Sequence, residues 1–246
     1  MWVRSTPFGL KKIVLFDYST SRSGKVAKDL LEGFKGYLQC DGLNSYNALE
    51  SVEIIRLGCN MHARRRFEQA KVTGAKSGQS LGEAGLKFYK GIYELEEEIR
   101  EKSPDERYQT RLERAVPIWE EMKEWVAKNI NKVPPKSKIG NAFSYFTNEY
   151  AYLIGYLKDG RLELDNGFTE RAIRKFAIGR NNWMFSDTED GADASALLYS
   201  LVVTAKINGV DPYKALVKMF TELPKAQTIE DYERLAELIL SPENTT

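Results

Sequence analysis

The chain has 246 residues, 42% hydrophobic and 29% charged, the proportions of an ordinary globular protein long enough for one large core or two small ones. Its net charge of +1 gives no global attraction to a polyanion, so any nucleic-acid contact must rest on local clusters. Two cysteines, Cys40 and Cys59, and the lack of an apolar leader or long apolar run exclude a disulfide scaffold and a membrane anchor, and read as cytoplasmic.

Trp2–Arg4 and Ile13–Phe16, joined through Thr6-Pro7-Phe8-Gly9, predict a β-hairpin. Ala27, Leu30, Leu31 and Phe34 predict a helix over about 25–34. Gly36–Cys40 reads as a strand stopping at Asp41-Gly42, Ser45–Leu49 as a short helix, and Val52–Leu57 as another β-rich run. This order predicts an α/β sheet.

From about 63 to 158 the pattern is helical. Leu81, Phe88, Ile92, Leu95 and Ile99 form one stripe; Tyr108, Leu112, Ala115, Trp119, Met122 and Val126 form a second. Beyond Pro134-Pro135, Ile139, Phe146, Tyr150, Leu153 and Leu157 form a third. Such stripes bury against one another, which predicts a helical insertion into the α/β domain. Asp165 or Asn166 should cap a helix running through Glu170 to about Ala177, followed by a short extended run at Trp183–Phe185. The tail should hold a helix over 193–208 closed by Gly209, one opening at Asp211-Pro212, and one at the Thr228-x-x-Asp231 box.

Asp41 stands at the carboxyl end of a predicted strand, where α/β sheets gather their ligands and a carboxylate can hold a metal; a simple turn aspartate before Gly42 fits as well. Glu170 borders the basic arc of Arg171, Arg174 and Lys175, and its i, i+4 partner is Arg174, so an exposed helix ion pair competes with a catalytic role. Cys59-x-x-His62 supplies at most half of a tetrahedral zinc site and fits better as an ordered strand-to-helix junction. Arg64-Arg65-Arg66 is the densest cationic run. Three consecutive helical residues fan through roughly 200°, so two can reach phosphate while one stem folds inward. Arg171, Arg174, Lys175 and Arg180 lead into Asn181-Asn182-Trp183, a combination suited to DNA backbone contact with stacking on Trp183; a core tryptophan is the alternative.

Taken in order, these segments resemble one family. Gly36-Tyr37-Leu38-Gln39-Cys40-Asp41-Gly42, Gly58-Cys59-Asn60-Met61-His62-Ala63-Arg64-Arg65-Arg66-Phe67 and Leu162–Arg174 are similar to the insertion-sequence family sixty-six transposases. The likeness continues through Ile178–Ser186, Ser200-Leu201 and Ala205–Tyr213. It implies a DDE-type enzyme with a ribonuclease H-like mixed sheet, a large helical insertion and a helical C-terminal tail. By motif Asp41 matches the second aspartate and Glu170 the glutamate, 170 − 41 = 129 residues apart, and Cys59, His62 and Asn166 fall on signature positions. Two Mg2+ or Mn2+ ions in the intact site would drive phosphodiester hydrolysis and strand transfer. The partners implied are DNA, as element ends and target, and further copies of the chain, with room for accessory proteins of the same element; the setting is a bacterial, nucleoid-associated cytoplasm.

The resemblance also carries a departure. The family's first aspartate lies on a strand before the one that begins here at Trp2, and Asp17 does not correspond to it. The expectation is a core lacking its first strand, one metal ligand and the N-terminal DNA-binding region, and therefore inactive alone. The expected division is 1–66 for the first part of the core, 67–160 for the insertion, 161–190 for the catalytic helix and the strand after it, and 191–246 for the helical C-terminal region. Two other readings stay open: a non-catalytic DNA-binding or oligomerisation remnant, and an unrelated metal nuclease of the ribonuclease H superfamily.

Overall fold

In the computed structural model the described residues are 1–246 except 10, 43–45, 47–48, 50–52, 72–79, 185 and 246. They form two compact units, residues 1–22 with 167–246 and residues 23–166. Both are mainly helical with a small sheet, an α/β composition. Among the described residues no helix is long and apolar enough to cross a membrane.

The first unit begins with the hairpin. Strands β1 (Trp2–Thr6) and β2 (Ile13–Asp17) pair antiparallel from Trp2 opposite Asp17 to Thr6 opposite Ile13. Arg4 adds a two-pronged ion pair to Asp17 at 2.9 and 2.8 Å. The other edge of β2 is met by side chains of α8 (Glu189–Ile207) and by Asn208, the residue after it. Phe16 N–H donates to Ser200 Oγ at 2.8 Å, Val14 N–H to Thr204 Oγ1 at 3.1 Å, and Lys12 N–H to Asn208 Oδ1 at 2.9 Å. Residues four apart on a helix advance about 6 Å and residues two apart on a strand about 6.8 Å. A helix row at every fourth position can therefore follow alternate strand residues, and it covers an edge that would otherwise invite pairing.

Val14 and Phe16 of β2 pack with Ala172 of α7 (Gly167–Trp183) and with Ala196 and Val203 of α8. A second core joins Ala205 and Val210 to Ala215 and Met219 of α9 (Pro212–Glu222) and Leu235 of α10 (Ile229–Glu237). The caps form as the sequence predicts. Gly209 takes φ 74° after α8, the Asp211 side chain accepts from Tyr213 N–H and Lys214 N–H, and Thr228 and Asp231 close a reciprocal capping box.

The second unit starts with α1 (Gly24–Leu30), shorter than expected because Gly33 turns the chain at φ 73° and leaves Phe34 exposed. Strands β3 (Gly36–Gln39) and β4 (Ile54–Leu57) pair in parallel, Gln39 opposite Leu57. Of the expected helix at Ser45–Leu49, positions 45, 47 and 48 lie outside the described residues. The core is helical: α2 (Asn60–Gln69), α3 (Leu81–Glu98), α4 (Pro104–Thr110), α5 (Val116–Asn129) and α6 (Lys138–Leu153) enclose Phe67, Tyr89, Ile92, Trp119, Met122, Phe143 and Phe146.

Two sequence expectations are corrected. Leu112 is not on the buried stripe; it is 42% exposed, and Arg111 is fully buried in its place. Residues Arg111–Ala115 form a π-helical turn between α4 and α5, and its extra residue rotates the stripe by one position. Arg111 is held there by Glu96 at 2.9 and 2.7 Å and by the carbonyls of Tyr156, Asp159 and Leu162. The second correction concerns Trp183, which is the last residue of α7 and not part of a strand. The helix continues past Ala177 for nearly two more turns, and Met184 then breaks it at φ 60°.

Candidate active site

In the second unit the parallel pairing fixes where Asp41 emerges. Cys40 N–H still bonds Leu57 C=O at 3.1 Å, so Asp41 leaves β3 at the same sheet end at which Gly58 and Cys59 leave β4. Gln39 reinforces this end, donating to Gly58 C=O at 3.3 Å and Glu163 C=O at 2.8 Å. Asp41 is half-buried. Its negative charge, after the larger effect of burial, helps push the Tyr46 phenol up to about 12, so a neutral hydroxyl stands near the carboxylate. Gly42 follows because a Cβ there would come 2.8 Å from both Cε2 and the hydroxyl of Tyr145.

Cys59 caps the start of α2 and is fully buried. Its thiol donates to Asn166 Oδ1 at 2.8 Å, and burial pushes it up to about 11 in spite of hydrogen bonds from Asn166 and the α2 backbone. His62 lies one turn further, its ring nitrogen and Cys59 Sγ within 4.8 Å of each other. The next residue, Asn60, is a clamp: its amide donates to Leu153 C=O at 2.9 Å and Leu164 C=O at 3.1 Å. The Leu162–Asn166 segment that precedes α7 is thereby tied to the head of α2. A neutral, hydrogen-bonded thiol is suited to ordering this junction, as the sequence suggests for Cys59 and His62.

All three arginines of α2 are exposed at Arg64, Arg65 and Arg66. Arg66 stacks over the Tyr145 ring at 4.1 Å, and Arg64 lies 5.9 Å from the Tyr93 ring. Arg66 is thus the one of the three that lies directly over an aromatic ring.

In the first unit, Glu170 sits in the first turn of α7 and is half-buried. Its helix is fixed to β1 by a 2.6 Å hydrogen bond between the Thr169 and Ser5 hydroxyls, and by Phe168, Ile173 and Phe176 against the hairpin core. Arg171, Arg174, Lys175 and Arg180 are exposed; among the described residues none of them is in an ion pair. At about 100° per residue, Arg171, Arg174 and Lys175 share one arc whereas Arg180 falls on the opposite side. The expected Glu170–Arg174 pair does not form among the described residues. The side chain of Trp183 lies outside the described residues.

The description "Transposase IS66 family" matches residues 1–194. The chain belongs to the IS66 transposase family. A second IS66 feature, the "IS66 C-terminal element", matches residues 200–236, the stretch that contains Ser200, Thr204 and α9. Among curated relatives, "Uncharacterized protein y4hP" of Sinorhizobium fredii is 29% identical over 93% of this chain and 44% of its own length. "Uncharacterized protein y4qI" of the same organism is 32% identical over 91% of this chain and 42% of its own length. The chain thus spans less than half the length of these IS66 relatives. No solved structure matches it.

Sequence reasoning missed Asn60, Gln39, Tyr145 and Arg56. Arg56, nearly buried, pairs with Glu149 at 2.6 Å and lies 4.2 Å from the Tyr152 ring. In this IS66 chain Asn60 had a usable signal, since an amide inside Cys59-x-x-His62 at a helix start has backbone groups within reach; the others depend on partners more than 90 residues away.

Proposed function

We propose that this chain is part of a DDE-type DNA transposase whose Asp41 and Glu170 are metal ligands for phosphodiester hydrolysis and strand transfer. The observation that carries this is Asp41 at the carboxyl end of a parallel strand pair, beside Gly42, where Tyr145 leaves no room for a side chain. The antiparallel β1–β2 ladder and the parallel β3–β4 ladder support a ribonuclease H-like reading, being the pairings found on either side of that fold's first strand. Glu170 at the start of a helix whose basic arc has no ion pair among the described residues supports the assignment of that helix.

Carboxylate oxygens are hard donors that suit Mg2+ or Mn2+. Such ions, when bound, activate the attacking oxygen and stabilise the leaving one. The chain's own part is to hold the carboxylates on rigid elements and to bring DNA to them. Arg64 and Arg65 on α2, and Arg171, Arg174 and Lys175 on α7, are assigned to phosphate; Arg180, on the other side of α7, is assigned to a separate backbone contact. Multimers on DNA joining two element ends complete the reading.

The test is anisotropy of a labelled duplex with the purified chain at increasing salt. The reading expects affinity that falls steeply with salt and is lost on charge reversal at Arg64, Arg65, Arg171 and Arg174. Affinity that is unmeasurable at low salt, or unchanged in that variant, contradicts it.

A further inference from the structure

The basic arc of α7 has an apolar residue at its centre. Ile178 is 58% exposed. Taking Arg171 as the reference and about 100° per residue, Arg174 lies some 60° to one side, Lys175 some 40° to the other, and Ile178 between them. Asn182, also exposed, stands one turn beyond on the same line. From Arg171 to Asn182 the arc is about 16 Å long. Its cations have no ion pair among the described residues, so their charge is available to an anionic partner. Among the described residues, Ile178 belongs to none of the packed hydrophobic clusters of this unit.

A solvated basic face does not need an isoleucine at its middle, and a protein-docking face would not ring one with three unneutralised cations. Duplex DNA accounts for both features. Phosphates on the two strands take the flanking charges, an asparagine reaches base edges, and an aliphatic side chain in the centre enters between base pairs and unstacks them. We propose that Ile178 is a wedge that α7 inserts at a base step of duplex DNA, with Arg171, Arg174 and Lys175 on the adjacent phosphates. This rests on the DNA-binding reading above and deepens it: it names the deformation the face imposes. Steps that unstack at little cost, such as pyrimidine–purine steps and mismatches, are the ones it favours.

The experiment compares two 24-base-pair duplexes, one fully paired and one with a single central mismatch, each carrying 2-aminopurine next to the centre. The wild-type chain is expected to bind the mismatched duplex about fivefold or more tightly, with a rise in 2-aminopurine emission as the base unstacks. Ile178→Ala, a change at an exposed position, is expected to retain salt-dependent binding to the paired duplex at reduced affinity and to lose both the preference and the emission rise. Ile178→Leu restores both. Retention of the preference in Ile178→Ala, or its absence in the wild type with salt-dependent binding intact, overturns the wedge and leaves the DNA-binding face standing. Equal or tighter binding of an RNA duplex of the same sequence also overturns it. If the wild type shows no salt-dependent binding to either DNA, the DNA-binding reading itself has failed.

Discussion

The Thr204 hydroxyl satisfies both backbone groups of Val14: it accepts from Val14 N–H at 3.1 Å and donates to Val14 C=O at 3.0 Å. Val14 is fully buried and Thr204 nearly so, so no water can replace either bond. Thr204→Val keeps the shape and removes the hydroxyl, leaving a buried donor and acceptor unmet. A loss of about 2–3 kcal/mol in urea unfolding is expected, with Thr204→Ser close to wild type. Equal stability of Thr204→Val and wild type would show that the helix row does not hold the strand edge.

Arg111 and Leu112 give a paired prediction. Truncating Glu96 to alanine strands the buried Arg111 guanidinium and should cost about 3–5 kcal/mol. Leu112→Ala, at an exposed site, should cost under about 1 kcal/mol. The reverse order, read from chemical denaturation, would restore the uninterrupted helical register and dispose of the π turn.

This pair also marks what the sequence could disclose. The α9 and α10 starts were legible because Asp211-Pro212 and Thr228-x-x-Asp231 are local chemistry that acts within one turn. The place of Asp41 was legible too, as a carboxylate between a β-rich run and a glycine. The π turn was hidden because a 3.6-residue period presumes an uninterrupted helix, and Leu112 fits that period better than Arg111. The length of α7 was hidden because Gly179 and Asn181-Asn182 look like a helix end, whereas Phe176 and Ile173 already anchor the helix in the hairpin core. The Ser200–Thr204–Asn208 row, and the Tyr145 contact that selects Gly42, join residues about 100 or more positions apart, and no local pattern encodes them.

Alkaline stability should report the buried thiols. Burial pushes both Cys40 and Cys59 from an ordinary value near 9 up to about 11, with Arg56 partly opposing the shift at Cys40. A raised acid in the folded state binds its proton more tightly than in the unfolded chain. Its contribution is complete below pH 9 and is lost as pH rises towards 11, at most about 3 kcal/mol per thiol. Under reducing conditions the urea midpoint should therefore fall across this window, and fall less steeply in Cys40→Ala, whatever that variant's starting stability. Parallel slopes for the two proteins would contradict the assignment.

The central proposal is that Asp41 and Glu170 are each metal ligands, and Mn2+ binding followed by electron paramagnetic resonance on the full chain addresses it most directly. The account predicts saturable Mn2+ uptake that Mg2+ displaces. Asp41→Asn and Glu170→Gln should each weaken it about tenfold or more, the scale expected when one of few charged ligands is removed, with thermal stability retained. Uptake unaffected by both substitutions would contradict the account.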